Sequence, residues 1–261
     1  MLNIGWFSTG RDKAARQLLQ AVQQNIASGN IQGKISFIFS NREPGESGES
    51  DCFFTIVQGY HIPLLYLSHR KYRQTWQKEH TEQQGWRMHY DQEVNRMIAK
   101  FSPQLIVLAG YMLIIEKELC SQYNMINLHP APPHGPTGSW QNVIWHLIDS
   151  RASTAGAMMH MVTPEMDRGP VVSYTTFDID GEPFTKYRAN NDRQVLFHLI
   201  RQHELAHEFP LIIATIKALS QGDIIIQNGR VTDSQGKPVP GYDLSAEINQ
   251  AETGIVSSDP E

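Results

Sequence analysis

Three side chains in this sequence suit acyl or one-carbon transfer by type and setting: the amide of Asn127, the imidazole of His129 and the carboxylate of Asp167. The first two close an apolar run, Asn124 to Leu128, that reads as a short buried strand. The chain then enters a loop from Pro130 to Gly138 with four prolines and two glycines. About thirty residues on, Ala157 to Val162 reads as a second strand, and it empties into Thr163 to Pro170, which carries Asp167. Taken singly, each residue has a plain structural reading: a strand-end amide, a buried hydrogen-bonded histidine, a loop carboxylate. Their weight comes from the pairing of a strand–His-Pro–loop unit with a strand–Glu-x-Asp-x-Gly-Pro–strand unit. Acyl transfer passes through a tetrahedral oxyanion that needs a fixed donor, and a proton must leave the attacking group and reach the leaving group. A carboxylate beside the histidine is expected to raise its pKa and keep it protonated near neutrality.

Elements that hold such a site are legible along the chain. Asn3–Phe7 reads as a first strand, followed by the turn Ser8–Asp12 and a helix from Lys13 to Ala27. That turn either serves an anion through the free N–H groups of the helix start or is a plain turn, with Gly10 bending the chain and Asp12 capping the helix. Lys34–Ser40 and Ile62–Leu67 read as further strands, with a polar loop and a short helix between them. Ser68–Lys100 is charged and helix-rich, broken at Gly85, and residues such as Lys78 and Glu82 form a solvated face. Gln104–Gly110 is apolar without alternation, as a central parallel strand should be. The apolar Tyr111–Ile115 beyond it is either a ligand-pocket wall or core. Ser139–Asp149 reads as a helix capped by Ser139, Val171–Ile179 as a strand, and Arg193–Ser220 as a long helix or two, with Pro210 breaking the pattern. A hairpin follows near Gly229. Strand–helix alternation through the first half predicts an α/β fold, Rossmann-like, with a mostly parallel twisted sheet and helices on both faces. One domain is expected over residues 1–243, and residues 244–261 read as a polar, loose tail.

Composition narrows the function classes. The chain has 261 residues, 40% of them hydrophobic and 19% charged, with a net charge of −5. No basic field argues for nucleic acid, and no apolar run approaches the ~20 residues of a membrane helix. The N-terminus enters a strand without a signal-peptide pattern, so a cytoplasmic protein handling small molecules is expected, as monomer or homodimer. Cys52 and Cys120 stand far apart, which fits a reducing compartment and no structural zinc. His203 and His207, four apart on the late helix, read as surface residues, and the chemistry requires no metal.

The chain resembles the folate-dependent formyltransferase family over roughly Met1–Asp243. The resemblance rests on the opening Asn-Ile…Gly-Arg turn, Phe39-Ser40-Asn41, Leu108–Met112, Ile126–Pro130 and Val162–Val171. It implies the formyltransferase fold and Asn127, His129 and Asp167 as the catalytic trio. It implies 10-formyltetrahydrofolate as cosubstrate, held around Met112, Leu113 and Ile114 and around Glu165, Met166 and Gly169. The turn Thr9, Gly10, Arg11, Asp12, Lys13 is implied to face a substrate phosphate, and Glu204 to stand in for a glutamate on the late helix. Glycinamide ribonucleotide is the first acceptor implied. An amino sugar nucleotide or another small amine is the alternative, as is hydrolysis of the formyl-folate by water. The sequence departs from the family pattern where it reads substrate: Asp12, Lys13 and Ala14 replace small polar residues, Leu113 stands where arginine is common, and Arg168 where glycine is.

Overall fold

Side-chain alternation along the strands dictates the layers. In the computed structural model, which describes residues 1–80 and 85–256, β1 (Leu2–Phe7) sends Ile4 and Trp6 to one face and Phe7 to the other. β4 (Leu105–Leu108) divides the same way, with Leu105 and Val107 on one face and Ile106 and Leu108 on the other. A strand buried on both faces must be apolar throughout, which is why β4 shows no polar alternation. On the first face pack α1 (Lys13–Ala27), α2 (Gly48–Gly59) and α8 (Arg193–Gln221), through Leu18, Phe53 and Leu211 among others. On the second pack α4 (Trp86–Ile98) and α5 (Lys117–Gln122), through Tyr90, Val94 and Leu119.

The remaining strands are β2 (Gly33–Ser40), β3 (Leu64–Tyr66), β5 (Met125–His129), β6 (Thr154–Met161), β7 (Val171–Asp178), β8 (Ile224–Gln227), β9 (Arg230–Asp233) and β10 (Tyr242–Asp243). Eight strands form one sheet in the order β10-β7-β6-β5-β4-β1-β2-β3, and β8–β9 is the expected hairpin. Pairing is parallel except at β5–β6 and β6–β7, so the predicted α/β, mostly parallel sheet is the fold observed. The other helices are α3 (His69–Glu79), α6 (Trp140–Asp149), α7 (Phe184–Ala189) and α9 (Ser245–Val256). Asp12 and Ser139 cap α1 and α6 by accepting from Ala15 N and Asn142 N, as their types and positions predict.

Three expectations change. Pro210 does not split the late helix: α8 runs unbroken from Arg193 to Gln221. Proline costs a helix interior about 3 kcal/mol, and the burial of Leu211, Ile212 and Ile216 against the sheet outweighs that. His207 is fully buried rather than superficial, its ring stacked 4.2 Å from that of Phe177. Residues Ser245–Val256, read as a loose tail, form α9, anchored by the buried side chain of Ile248. Residues 257–261 of that tail, and Glu82 of the solvated face, lie outside the described residues. No described helix is long and apolar enough to cross a membrane.

Candidate active site

Asn127 and His129 are two apart on β5, so the pleat places both on the face that carries Met125. β6 runs antiparallel beside β5 and sets His160 directly opposite Asn127. That direction has a consequence for Asp167. The loop leaving β6 starts at the edge of the sheet opposite His129, with Val162 N donating to Met125 O at 2.9 Å. It then folds back so that Asp167 Oδ2 accepts from Gly138 N at 2.9 Å. Two close passages make the return possible. Asp167 itself adopts a left-handed conformation (φ 56°), and Gly169 passes so near β6 that a Cβ there would lie 1.8 Å from Met161 O. Strand ends that look alike in sequence thus lie at opposite edges, and the loop brings the carboxylate to the imidazole.

The polar geometry is a closed set. His129 Nε2 donates to Pro136 O at 2.8 Å, because a carbonyl only accepts, and its Nδ1 faces Asp167 Oδ2 at 3.5 Å. His160 Nδ1 donates to Met161 O at 2.9 Å, which leaves its Nε2 to accept from Asn127 Nδ2 at 3.1 Å. His160 Nε2 also lies 3.6 Å from Asp167 Oδ1. Burial pushes the Asp167 carboxyl up, but His160, His129 and the Gly138 N–H together hold it below the usual carboxylate range. His129 moves opposite to the sequence expectation. It is 2% exposed, and desolvation lowers its pKa more than Asp167 and the Pro136 carbonyl raise it. The resting imidazole is therefore neutral at pH 7, where a raised pKa and a ring protonated near neutrality were expected.

These groups line a cleft of about 220 Å³ at the carboxyl edge of β1, β4 and β5, where a doubly wound sheet binds its ligands. A single water takes about 10–15 Å³ by the same measure, so the cleft has room for organic ligands. Of the residues singled out from sequence, Asn127, His129, Asp167, Met112, Leu113, Ile114, Met166, Arg11 and Asp12 line it. The others stand behind it or at its margin. Thr9 Oγ1 accepts from Met112 N at 3.2 Å and so holds the apolar loop; Gly10 turns at φ 61° against Phe53. Lys13 and Glu165 are exposed. Glu204 is fully buried behind Arg201, and burial raises its pKa well above the carboxylate range.

Sequence reading missed His160, Trp140, Arg201 and Glu208, all of which line the cleft. Arg201 bonds Glu208 at 2.6 Å and Glu204 at 3.2 Å, and its guanidinium lies 4.6 Å from the centre of a Trp140 ring. Burial lowers the pKa of Arg201, and the two glutamates more than offset it. The Arg-x-x-Glu-x-x-x-Glu spacing on one helix face was the available signal, since such a face gathers at i, i+3 and i+7. His160 gave no such signal, because its partner depends on strand register.

Residues 7–191 match the sequence profile described as formyl transferase, and the chain belongs to the formyl transferase family. It is an enzyme of that class. Among named relatives it is similar to a phosphoribosylglycinamide formyltransferase of Schizosaccharomyces pombe, 28% identical over 59% of this chain and 74% of that one. It is also similar to a formyltetrahydrofolate deformylase of Haemophilus influenzae, 23% identical over 51% of this chain but only 43% of that one. In three dimensions it resembles the phosphoribosylglycinamide formyltransferase of Coxiella burnetii at a TM-score of 0.71, with 22% identity over 93% of this chain and 98% of that one.

Proposed function

We propose that the protein transfers the formyl group of 10-formyltetrahydrofolate to a primary amine, phosphoribosylglycinamide in purine synthesis being the acceptor that the named relatives support. The observation that carries the reading is the convergence of Asn127, His129 and Asp167, from two strands and a returning loop, on one cleft wall. The folate end of the cleft is the apolar stretch Met112–Ile114 with Val162, Thr163 and Met166; the acceptor end is Arg11, Asp12, Trp140, Arg201 and Glu208.

The amine nitrogen attacks the formyl carbon, and the carbonyl electron pair moves to oxygen. The second N–H of the Asn127 amide, whose first is taken by His160, donates to that oxyanion. The proton leaving the attacking nitrogen passes through water to Nδ1 of His129, neutral at rest, and Asp167, held ionised, stabilises the imidazolium that forms beside it. Collapse re-forms the carbonyl, breaks the bond to N10 of the folate and returns one proton to N10.

The test is incubation with 10-formyltetrahydrofolate and phosphoribosylglycinamide, following the absorbance of the deformylated folate. Turnover that requires the amine is expected. Formate released at the same rate without any amine makes the protein a hydrolase, and turnover only with a different amine removes the purine assignment while keeping the chemistry.

A further inference from the structure

The loop between β5 and α6 carries the two backbone groups on which the catalytic side chains rest. Pro136 O accepts from His129 Nε2 at 2.8 Å, and Gly138 N donates to Asp167 Oδ2 at 2.9 Å. Among the described residues, these are the hydrogen bonds that loop 130–138 makes outside itself; the bond from Gly135 N to Pro132 O, at 2.9 Å, lies within it. Four of its residues are prolines without an N–H, so its backbone has few donors with which to tie itself down. The loop must therefore be held at its ends. The near end is fixed by Ala131, buried in the same apolar cluster as Val143 and Ile144 of α6.

The far end depends on α8. Trp140 opens α6, two residues past Gly138. It meets the ring of Phe197 at 5.7 Å between centres, and the guanidinium of Arg201 lies 4.6 Å from the centre of a Trp140 ring. Arg201 is itself fixed. Glu208 and Glu204, both buried, hold its Nη1 at 2.6 and 3.2 Å from the same helix. A guanidinium locked by two acids and laid on an indole ring is a rigid stop.

What that stop controls is a proton. The neutral His129 ring has one N–H and two neighbouring acceptors: Pro136 O at Nε2, and the Asp167 carboxylate 3.5 Å from Nδ1. A carboxylate is the stronger acceptor of the two. With Pro136 O displaced, the ring proton moves to Nδ1 and is donated to Asp167. That tautomer blocks the atom that has to receive the proton of the attacking amine.

We propose that Arg201, seated on Trp140 by Glu204 and Glu208, is a positioning residue that pins the loop so that Pro136 O keeps the His129 proton on Nε2 and leaves Nδ1 free. The inference rests on reading the cleft as the formyl-transfer site, and it makes the acceptor end of that cleft part of the machinery that sets the base.

The experiment is two-bond 1H–15N NMR of the histidine rings in the 15N-labelled whole protein, without ligands and above pH 7, with His129→Gln identifying the resonance. In wild type Nε2 is protonated and Nδ1 is not. In Trp140→Leu and Arg201→Leu the proton stands on Nδ1, and kcat at saturating acceptor falls roughly tenfold to a hundredfold with an unchanged KM for folate. Trp140→Phe, which keeps a flat ring for the guanidinium, retains the wild-type tautomer. Should Arg201→Leu fail to fold with two unpaired acids, Trp140→Leu leaves all three charges in place and decides alone. Wild-type affinity for 10-formyltetrahydrofolate certifies the fold of each variant. A Trp140→Leu ring with its proton still on Nε2 overturns the proposal whatever the rate, since lost activity alone marks an acceptor contact. The tautomer is read without turnover. A wild type that transfers no formyl group to any amine therefore sinks the formyl-transfer reading, while the tautomer shift on replacing Trp140 still establishes the positioning.

Discussion

Replacing Asp167 with Asn removes one charge and almost no volume. Asp167 sits in the left-handed region at φ 56°, which asparagine tolerates better than most residues, and an amide oxygen can still accept from Gly138 N. The fold and the folate site therefore survive. What is lost is the attraction between the carboxylate and the His129 ring as the ring takes up positive charge at 3.5 Å. With an effective dielectric of about 20, unit charges at that separation interact by about 5 kcal/mol. General acid–base assistance is worth about two to four orders of magnitude in rate. A loss of about a thousandfold in kcat/KM is the expectation, measured by folate absorbance, with the dissociation constant of folate within about threefold of wild type. The pH profile supplies a second reading. Wild-type activity needs His129 neutral at rest, and its pKa lies below the ordinary value of 6.5, so kcat/KM is flat through pH 7 and falls on the acid side of 6.5. Asp167 is one of the influences that raise that pKa, so the residual acid limb of the Asn variant moves to still lower pH. Turnover within tenfold of wild type, or a limb that moves upward, refutes the reasoning.

Three further perturbations follow from the geometry. His160→Phe removes the acceptor that fixes the Asn127 amide at 3.1 Å, and kcat should fall about a hundredfold with an unchanged KM for folate; His160→Gln, which restores an acceptor, should recover part of it, and a wild-type kcat for the Phe variant would show that the amide needs no such hold. Gly169→Ala places a methyl 1.8 Å from the backbone oxygen of Met161, which no rotamer relieves, so thermal denaturation should show Tm lower by about 10 °C or no folded protein. Asp91 is buried beneath the second face, and desolvation raises its pKa from the model-compound value of 3.8 to about 7. Because its folded pKa exceeds its unfolded one, stability is full below about pH 4 and lost as pH rises through about 7. Asp91→Asn should accordingly flatten the dependence of Tm on pH across that window and leave the variant relatively more stable at pH 8; a Tm profile identical to wild type contradicts the assignment.

How much of this was legible beforehand depends on the range of the interaction. Local rules reached the element list, the caps at Asp12 and Ser139, the hairpin at Gly229 and the class of sheet, because propensity, capping and pleat period act over a few residues. The same period placed Asn127 and His129 on one face of one strand. Pro210 misled, since a local penalty was weighed without the apolar face that α8 buries on the sheet. The tail misled likewise, because one anchoring side chain, Ile248, is invisible in a polar composition.

The residue types of the site are thus a property of the sequence; their meeting is a property of the fold. Nothing in the spacing of Asn127 and His160 reveals that β6 runs antiparallel to β5 and pairs the two. Nothing in Asp167-Arg168-Gly169-Pro170 reveals that its loop starts at the far edge of the sheet and returns. The charge state of His129 was read wrongly for the same reason. A carboxylate neighbour argues for protonation, but desolvation is set by everything packed around the ring, and only the assembled structure supplies that.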